Sequence, residues 1–532
     1  MATNPDIDIK TITKASIKLD PVIALDRTND GEYTKEETWD VDAKQTGFYR
    51  PYISINGFRI DPGLTHFNLD NNGFMPVCNF TFTMQDAAFL SASYPKDGDV
   101  FSIYIRAIGE VYKPIRMDFN VLSVDAVPIQ NERVGNTDGL YQTFTILGEC
   151  RIPGLYTHRI KAFRDKTSYD TLLEVSQDLG LGFSSNDNGL TDTMTWICPN
   201  FSYYDFINDV TKHAYKDEFS YFGVWVDLYY NLNFVNLGNQ FAKENMQLDS
   251  MVGPDSGQSP LDTGDDSGLP GRDIKLTEMP LILSNAELLV GSPLFIEGYT
   301  LLSDSGQSSN EAGYVTTLQF YDTNSQLGED DGAYAKYTIE SITTENISDA
   351  TLLQKGRPTE NLYKNEKRSV WIGQNKTGDS STTHLNYNHA KVQNKINLLD
   401  SMKFNLNVEF SKYMPFIYKG QVVPVQMFVR EKGLRKLNTG TGTETSNDGM
   451  PIMDQFLSGL YVVTGYEVIY NKRTGKIRQR LNLRKKTWTL NTAGNLPKYY
   501  PIETGVGDAG IGGVSGTPDL PETSDLTGGI GI

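Results

Sequence analysis

KTSYDTLLEVSQDLGLGFSSNDNGLTDTMTWICPNFSYYDFINDVTKHAYKDEFSYFGVWVDLYYNLNFVNL, residues Lys166 to Leu237, is the stretch in which periodicity, capping and turn signals agree best. Thr167 or Ser168 caps a helix whose positions Tyr169, Leu172, Leu173, Ser176 and Leu179 follow helical spacing, and Gly180 with Gly182 supplies the stop. After a polar loop and an apolar run from Met194 to Pro199, Ser202 with Asp205 three residues on resembles a capping box. It opens a second helix with Phe206, Ile207, Val210 and Ala214 on one face. A hairpin follows: Phe222, Val224, Val226 and Leu228 alternate, Tyr229 to Asn231 turn, and Leu232 to Val235 return. The stretch predicts a small α+β unit.

On either side the texture is that of strands. Runs at 52–60, 76–84, 100–108, 115–127 and 140–147 are punctuated by Asn56-Gly57, Asp61-Pro62-Gly63, Asn72-Gly73 and Asp138-Gly139, with one short helix at 85–91. An antiparallel barrel or sandwich is expected there. Beyond the unit, strands are expected at 281–283, 291–302, 313–320, 334–347, 403–410, 421–429, 460–470 and 476–486. A helix with sparse apolar positions is expected at 386–402. The chain therefore reads as mainly β with an α+β insertion. Residues 1–45 form an N-terminal arm, 46–160 a first β domain and 161–245 the α+β domain. An acidic Gly/Ser/Pro/Asp loop or linker at 246–275 leads to a second β domain at 276–490 and a flexible Gly-rich tail at 491–532.

At 532 residues the chain exceeds a single core, and 39% hydrophobic with 21% charged residues is ordinary for a folded soluble protein. No run approaches the roughly 20 apolar residues of a membrane helix, so no membrane insertion is expected, and the first 20 residues have no signal-peptide pattern. Cys78, Cys150 and Cys198 are far apart and read as buried thiols in a reducing compartment. A formal charge of −18, from 48 bases and 66 acids, argues against binding nucleic acid by phosphate neutralisation. The 29 Tyr and 25 Phe suit pleated surfaces and interfaces.

Catalytic signatures are scarce. HExxH, GxSxG and GxxxxGK[ST] are missing, and His384 with His389 stands at a loop-to-helix boundary without nearby ligands. The loop Asp322 to Gly332 lacks the spacing of a calcium loop. Asp205, Asp209, Asp217 and Glu218 are explained by the solvent face of the second helix. No catalytic residue, metal site or cofactor is expected. One charged pattern is less ordinary. NKRTGKIRQRLNLRKK, Asn471 to Lys486, holds eight bases and no acid. In a strand Lys476, Arg478, Arg480 and Arg484 point to one side and Ile477, Leu481 and Leu483 to the other. The stripe is either a solvated face or a subunit or partner interface that meets acids on a neighbouring subunit.

The order of these segments resembles the central baseplate hub of contractile-tailed phages, a fold shared with the hub half of type VI secretion spike proteins. The resemblance runs through Lys166–Leu237 and then through FIEGYTLLSDSGQSSNEAGYVTTLQFYD (Phe295–Asp322) and KFNLNVEFSKYMPFIYKGQVVPVQ (Lys403–Gln426). It continues in SGLYVVTGYEVIYN (Ser458–Asn471) and RQRLNLRKKTW (Arg478–Trp488). It implies two tail-tube-like antiparallel β-barrel domains bracketing the α+β domain. It also implies a homotrimer joining the six-fold tail tube to the three-fold central spike, around a channel for DNA and tape-measure protein. The implied partners are the tail tube protein, the central spike protein, the tape-measure protein and the inner baseplate wedge proteins, with no sequence-specific nucleic-acid binding. The implied location is the virion, in the tail baseplate, after synthesis in the host cytoplasm. The rivals are a baseplate-associated cell-wall hydrolase and a peripheral baseplate or receptor-binding protein. On the hub reading Trp196 and Phe206 are core anchors of the α+β domain rather than parts of a site.

Overall fold

Alternation at period two governs the architecture. In Phe404–Phe410 every second residue is buried, and the same pattern holds across Val77–Met84 and Ile477–Lys485. The computed structural model describes most of residues 51–105, 115–129, 141–242, 282–303, 315–322, 367–374, 383–430 and 451–485. It also describes short pieces at 9–19, 24–25 and 33–34. All of them belong to one compact unit, Met1–Asn491. The expected strand at 334–347, the loops at 251–273 and 440–449 and the tail at 491–532 lie outside the described residues.

In chain order the strands of the first part are β1 (Lys10–Thr13), β2 (Ala24–Leu25), β3 (Tyr33–Thr34), β4 (Tyr52–Ile55), β5 (Phe58–Arg59), β6 (Leu64–Asp70), β7 (Val77–Met84), β8 (Val100–Ile105), β9 (Ile115–Ile129) and β10 (Tyr141–Cys150), with α1 at Ala87–Ala92. The middle part holds β11 (His158–Lys166), α2 (Ser168–Asp178), β12 (Gly182–Ser185), β13 (Met194–Ser202), α3 (Tyr203–His213), β14 (Phe222–Val226), β15 (Asn231–Asn236) and α4 (Leu237–Ala242). Beyond it lie β16 (Leu283–Ser284), β17 (Gly298–Ser303), β18 (Val315–Asp322), β19 (Lys367–Gln374), α5 (Tyr387–Ser401), β20 (Phe404–Phe410), β21 (Val422–Gln426), β22 (Phe428–Arg430), β23 (Pro451–Met453), β24 (Gly459–Asn471) and β25 (Lys476–Lys485).

Most strands of the two β-rich parts form one sheet, with β18-β19 and β22-β23 as separate two-stranded pairs. Its order is β17-β20-β25-β24-β6-β7-β10-β9-β8-β4-β5-β2-β3, with β21 and β16 attached beside β24. The chain is thus mainly β and mostly antiparallel. Among the described residues no pairing closes the path on itself, so the sheet is open where closed barrels were expected. The pivot is β24. Along one edge it pairs β25 from Val462 to Asn471, while on the other its first residues, Gly459–Val462, pair β21 and its last, Glu467–Asn471, pair β6. The register slips between Val463 and Gly465, where the strand changes partner. Such a bulge bends a strand and re-aims it.

The middle part has its own sheet, β1-β12-β15-β14, in which β12 and β15 run parallel. Thr167 and Ser202 cap α2 and α3 by accepting the backbone N–H of Asp170 and Asp205. The same hydroxyls donate to those carboxylates at 2.9 and 2.6 Å. Gly180, at φ +71, ends α2. Two features differ from the sequence expectation. Lys10–Thr13 of the expected arm is an edge strand of this sheet, and Ile9 is buried against Trp225 and Val235. Gly182, read as a helix stop, begins β12, where a Cβ would lie 2.0 Å from Asn231 Oδ1 and 2.8 Å from the Thr13 carbonyl; the gap between strands admits only glycine.

α5, which leads into β20 and lies about 180 residues after α3 in sequence, docks on α3 through amides. The Asn394 side chain donates to the carbonyls of Thr211, Lys212 and Ala214 at the α3 C-terminus and accepts from Phe222 N–H. Gln393 donates to Asp217 and Ser220 carbonyls. These groups satisfy orphan carbonyls at a helix end, which explains why the apolar positions of α5 are sparse.

Candidate functional site: a polar sheet face that crosses the junction

Strand register places one row of side chains on the solvent side of six consecutive strands. It runs Glu409 (β20), Arg480 (β25), Glu467 (β24), Asp70 (β6), Val77 (β7) and Glu149 (β10). Two further rows run beside it: Arg478, Ile469, Asn68, Asn79 and Leu147, then Lys476, Asn471, His66, Thr81 and Thr145. The face is rich in amides, hydroxyls and carboxylates. It passes from one β part to the other without a break.

The sequence-predicted basic stripe lies on this face. Arg478, Arg480 and Arg484 alternate with buried Ile477, Leu481 and Leu483, as strand periodicity requires; Lys476 lies in β25 beside them. Arg480 is engaged within the chain. Its Nη2 lies 2.6 Å from Glu409 Oε1 and its Nη1 3.4 Å from Glu467 Oε2, so acids on the two neighbouring strands flank it. Its hydrogen bonds to the Glu409 carboxylate hold the Arg480 guanidinium above its ordinary pKa. Burial pushes the Glu467 carboxyl up, against the pull of Arg480 and with added repulsion from Asp70. Glu409 and Glu467 were not singled out in the sequence; their place opposite Arg480 follows only from register. Arg478 is exposed.

The junction behind the face is built around the turn at Asn72-Gly73. Asn71 N–H donates to the Tyr466 carbonyl, Asn482 Nδ2 to Asn72 Oδ1 at 2.6 Å, and Asn72 Nδ2 to Glu467. Gly465 leaves the space for this turn, since a Cβ there would lie 2.1 Å from Asn72 Oδ1 and 2.9 Å from Asn72 Cα. Lys419 Nζ donates to the carbonyls of Asn72 and Gly73 at 2.8 Å each and sits 5.3 Å from the centre of the Trp225 ring. One lysine of the second β part thereby touches the first β part and the middle part. Burial pushes its pKa down to about 7.

Trp196 and Phe206 are both buried in the middle part. Trp196 Nε1–H donates to the Lys166 carbonyl at 3.0 Å, and Phe206 stacks on Phe163 with centroids 5.4 Å apart. His384 is buried too, near Trp196, and its hydrogen-bond partner is the carbonyl of His213. Among the described residues no group of three or more His, Cys, Asp or Glu side chains could hold a metal, and no helix is long and apolar enough to cross a membrane. Cys78, Cys150 and Cys198 are free and buried.

No protein-family model and no curated protein matches the sequence. Solved structures do show a likeness. The 43 kDa tail protein of prophage MuSo2 from Shewanella oneidensis is 11% identical with a TM-score of 0.43, covering 82% of this chain and 98% of that one. A tail protein from Neisseria meningitidis MC58 is 9% identical with a TM-score of 0.43, covering 83% and 98%. The E. coli c3393 protein is 7% identical with a TM-score of 0.34, covering 81% and 76%. That protein is described as a component of the type VI secretion system with structural similarity to T4 bacteriophage tail proteins gp27 and gp5. TM-scores below 0.5 do not establish a shared fold.

Proposed function

We propose that the chain is a structural virion protein, the trimeric baseplate hub that joins a six-fold tail tube to a three-fold central spike. The observation that carries the reading is the sharing of β24 between the two β parts, which makes them neighbours in one curved sheet. Two such units per chain supply six in a trimer, the number needed to match a six-fold tube. On this reading the two β parts are tube-like barrels that complete themselves in the assembled ring.

The polar face then lines the channel. The row through Arg480 holds four carboxylates, Glu409, Glu467, Asp70 and Glu149, against the single guanidinium of Arg480. Along that row the surplus of carboxylates repels phosphates, and the guanidinium of Arg480 is engaged by Glu409 and Glu467, so DNA and a tape-measure protein would pass it without adhering. The hub would contact the tail tube protein, the central spike protein and the inner wedge proteins at its rims, inside the virion baseplate, after synthesis in the host cytoplasm.

On the same reading the chain has no catalytic activity. Negative-stain images of the purified protein test the assembly, with a three-fold ring around a central opening expected. Particles without an opening contradict the reading and favour a peripheral or receptor-binding role. Zymography on cell-wall substrate is expected to give no clearing; clearing would point to the hydrolase alternative.

A further inference from the structure

Two imidazoles lie buried where α5 meets the middle part. His213 closes the last turn of α3, donating Nδ1–H to the Asp209 carbonyl at 2.8 Å, and its ring stacks on Tyr387 with centroids 3.8 Å apart and planes 4° from parallel. His384 Nε2 donates to the His213 carbonyl at 3.0 Å, and its ring is set between Trp196 of β13, at 6.0 Å, and Tyr387, at 5.7 Å. His213 is 4% and His384 5% exposed. Nothing in the polar face or the junction uses this cluster. It lies where the chain enters α5 at Tyr387.

A neutral imidazole is suited to such a place and an imidazolium is not. Its added charge would be desolvated among aromatic rings. The charged groups that face the pair are few. From α3 come Asp209, which favours a charged His213, and Lys212, which opposes it; from α5 comes Lys391, which also opposes it. Among the described residues the polar and charged influences on His384 come from His213, through its carbonyl and, when both titrate, its charge.

We propose that His384 and His213 form an acid-sensitive latch, which holds the entry to α5 against α3 at neutral pH and loosens as the pair gains protons. Burial lowers His384 from its ordinary 6.5 to about 4, and it lowers His213 as well. The sign follows from linkage: a histidine whose docked pKa is depressed favours the released state as soon as that state binds a proton. The latch is therefore complete above pH 6.5, weakens as pH falls, and stops weakening near pH 4. From those two values, His384 alone makes docking about 30-fold less favourable at pH 5 than at pH 7.5. The amide contacts of Gln393 and Asn394 do not titrate, so the opening is confined to the end of α5 near His384.

Hydrogen exchange on the full chain, corrected for intrinsic rates, reads this directly. Between pH 7.5 and pH 5, protection of 383–392 is expected to fall by about 30-fold or more, while α2 keeps its protection. The variant His384→Gln, whose amide can still donate to the His213 carbonyl without titrating, is expected to lose most of that pH dependence. Imidazole titration by NMR on the unmodified chain keeps the test independent of the variant. His384 staying neutral to about pH 4 supports the latch. Titration near 6.5, or protection of 383–392 that is unchanged at pH 5, overturns it. None of these outcomes depends on the hub reading.

Discussion

Replacing Gly465 with alanine tests the junction on which both β parts depend. The added methyl would stand 2.1 Å from Asn72 Oδ1 and 2.9 Å from Asn72 Cα, so the Asn72 turn has to move as a unit, backbone included. Moving it breaks the Asn482–Asn72 hydrogen bond at 2.6 Å, the Asn72–Glu467 bond at 3.4 Å and the Lys419 contacts to the carbonyls of Asn72 and Gly73. Lost bonds of this kind cost about 1 kcal/mol each and overpacking about 1–3 kcal/mol. Part of each bond is recovered by water, which leaves a net cost of about 3 kcal/mol. Urea denaturation read by intrinsic fluorescence measures the total, and hydrogen exchange of β6 and β24 locates it. Gly298→Ala is the control, because the nearest atom to a Cβ there is 4.0 Å away. A Gly465→Ala protein within about 0.5 kcal/mol of the parent, with β6 and β24 still protected, would refute the idea that the turn is fitted to that glycine.

Other substitutions separate the roles of neighbouring residues. Trp196→Ala empties a buried site and loses the hydrogen bond to the Lys166 carbonyl; a loss of about 3–5 kcal/mol is expected in the same denaturation assay. Asn394→Leu keeps the branching at Cγ but strands Phe222 N–H and the α3 carbonyls, so about 2 kcal/mol or more should be lost, with exchange rising over 387–401 and 211–222. Arg480→Glu puts a fifth carboxylate into the row through Arg480 and should cost about 1 kcal/mol after screening, since Arg480 and Glu409 are about two-fifths exposed. Arg478→Glu, at an exposed position, should leave stability within about 0.5 kcal/mol and alter association only if that residue meets a neighbour, which sedimentation at low salt will show.

Local order was legible where a short stretch of sequence contains its own reasons. Thr167 and Ser202 begin their helices because each side chain reaches an N–H three residues on, and both partners are present in the local sequence. The alternation in β25 is visible for the same reason, since neighbouring residues settle it. What the sequence hid is contact at long separation. β11 escaped notice because HRIKAFRDK has few apolar residues: it forms a two-stranded ribbon with β13, and Ile160 on it is 82% exposed. The pairing of β24 with β6 joins residues about 400 apart, and no local pattern announces it. The partners of Arg480 were hidden too, because Glu409 and Glu467 stand beside it only once three strands are in register. α5 read faintly because amides rather than an apolar stripe hold it.

Assembly into a trimer is tested most directly by mass measurement at decreasing concentration. With a chain of 59.4 kDa, a trimer has three times that mass, about 178 kDa. Obligate interfaces bury roughly 2,000 Å² or more and survive dilution. Mass photometry at nanomolar concentration should therefore still find the trimer. A single population at 59.4 kDa, unchanged when light scattering repeats the measurement at micromolar concentration, would contradict the hub.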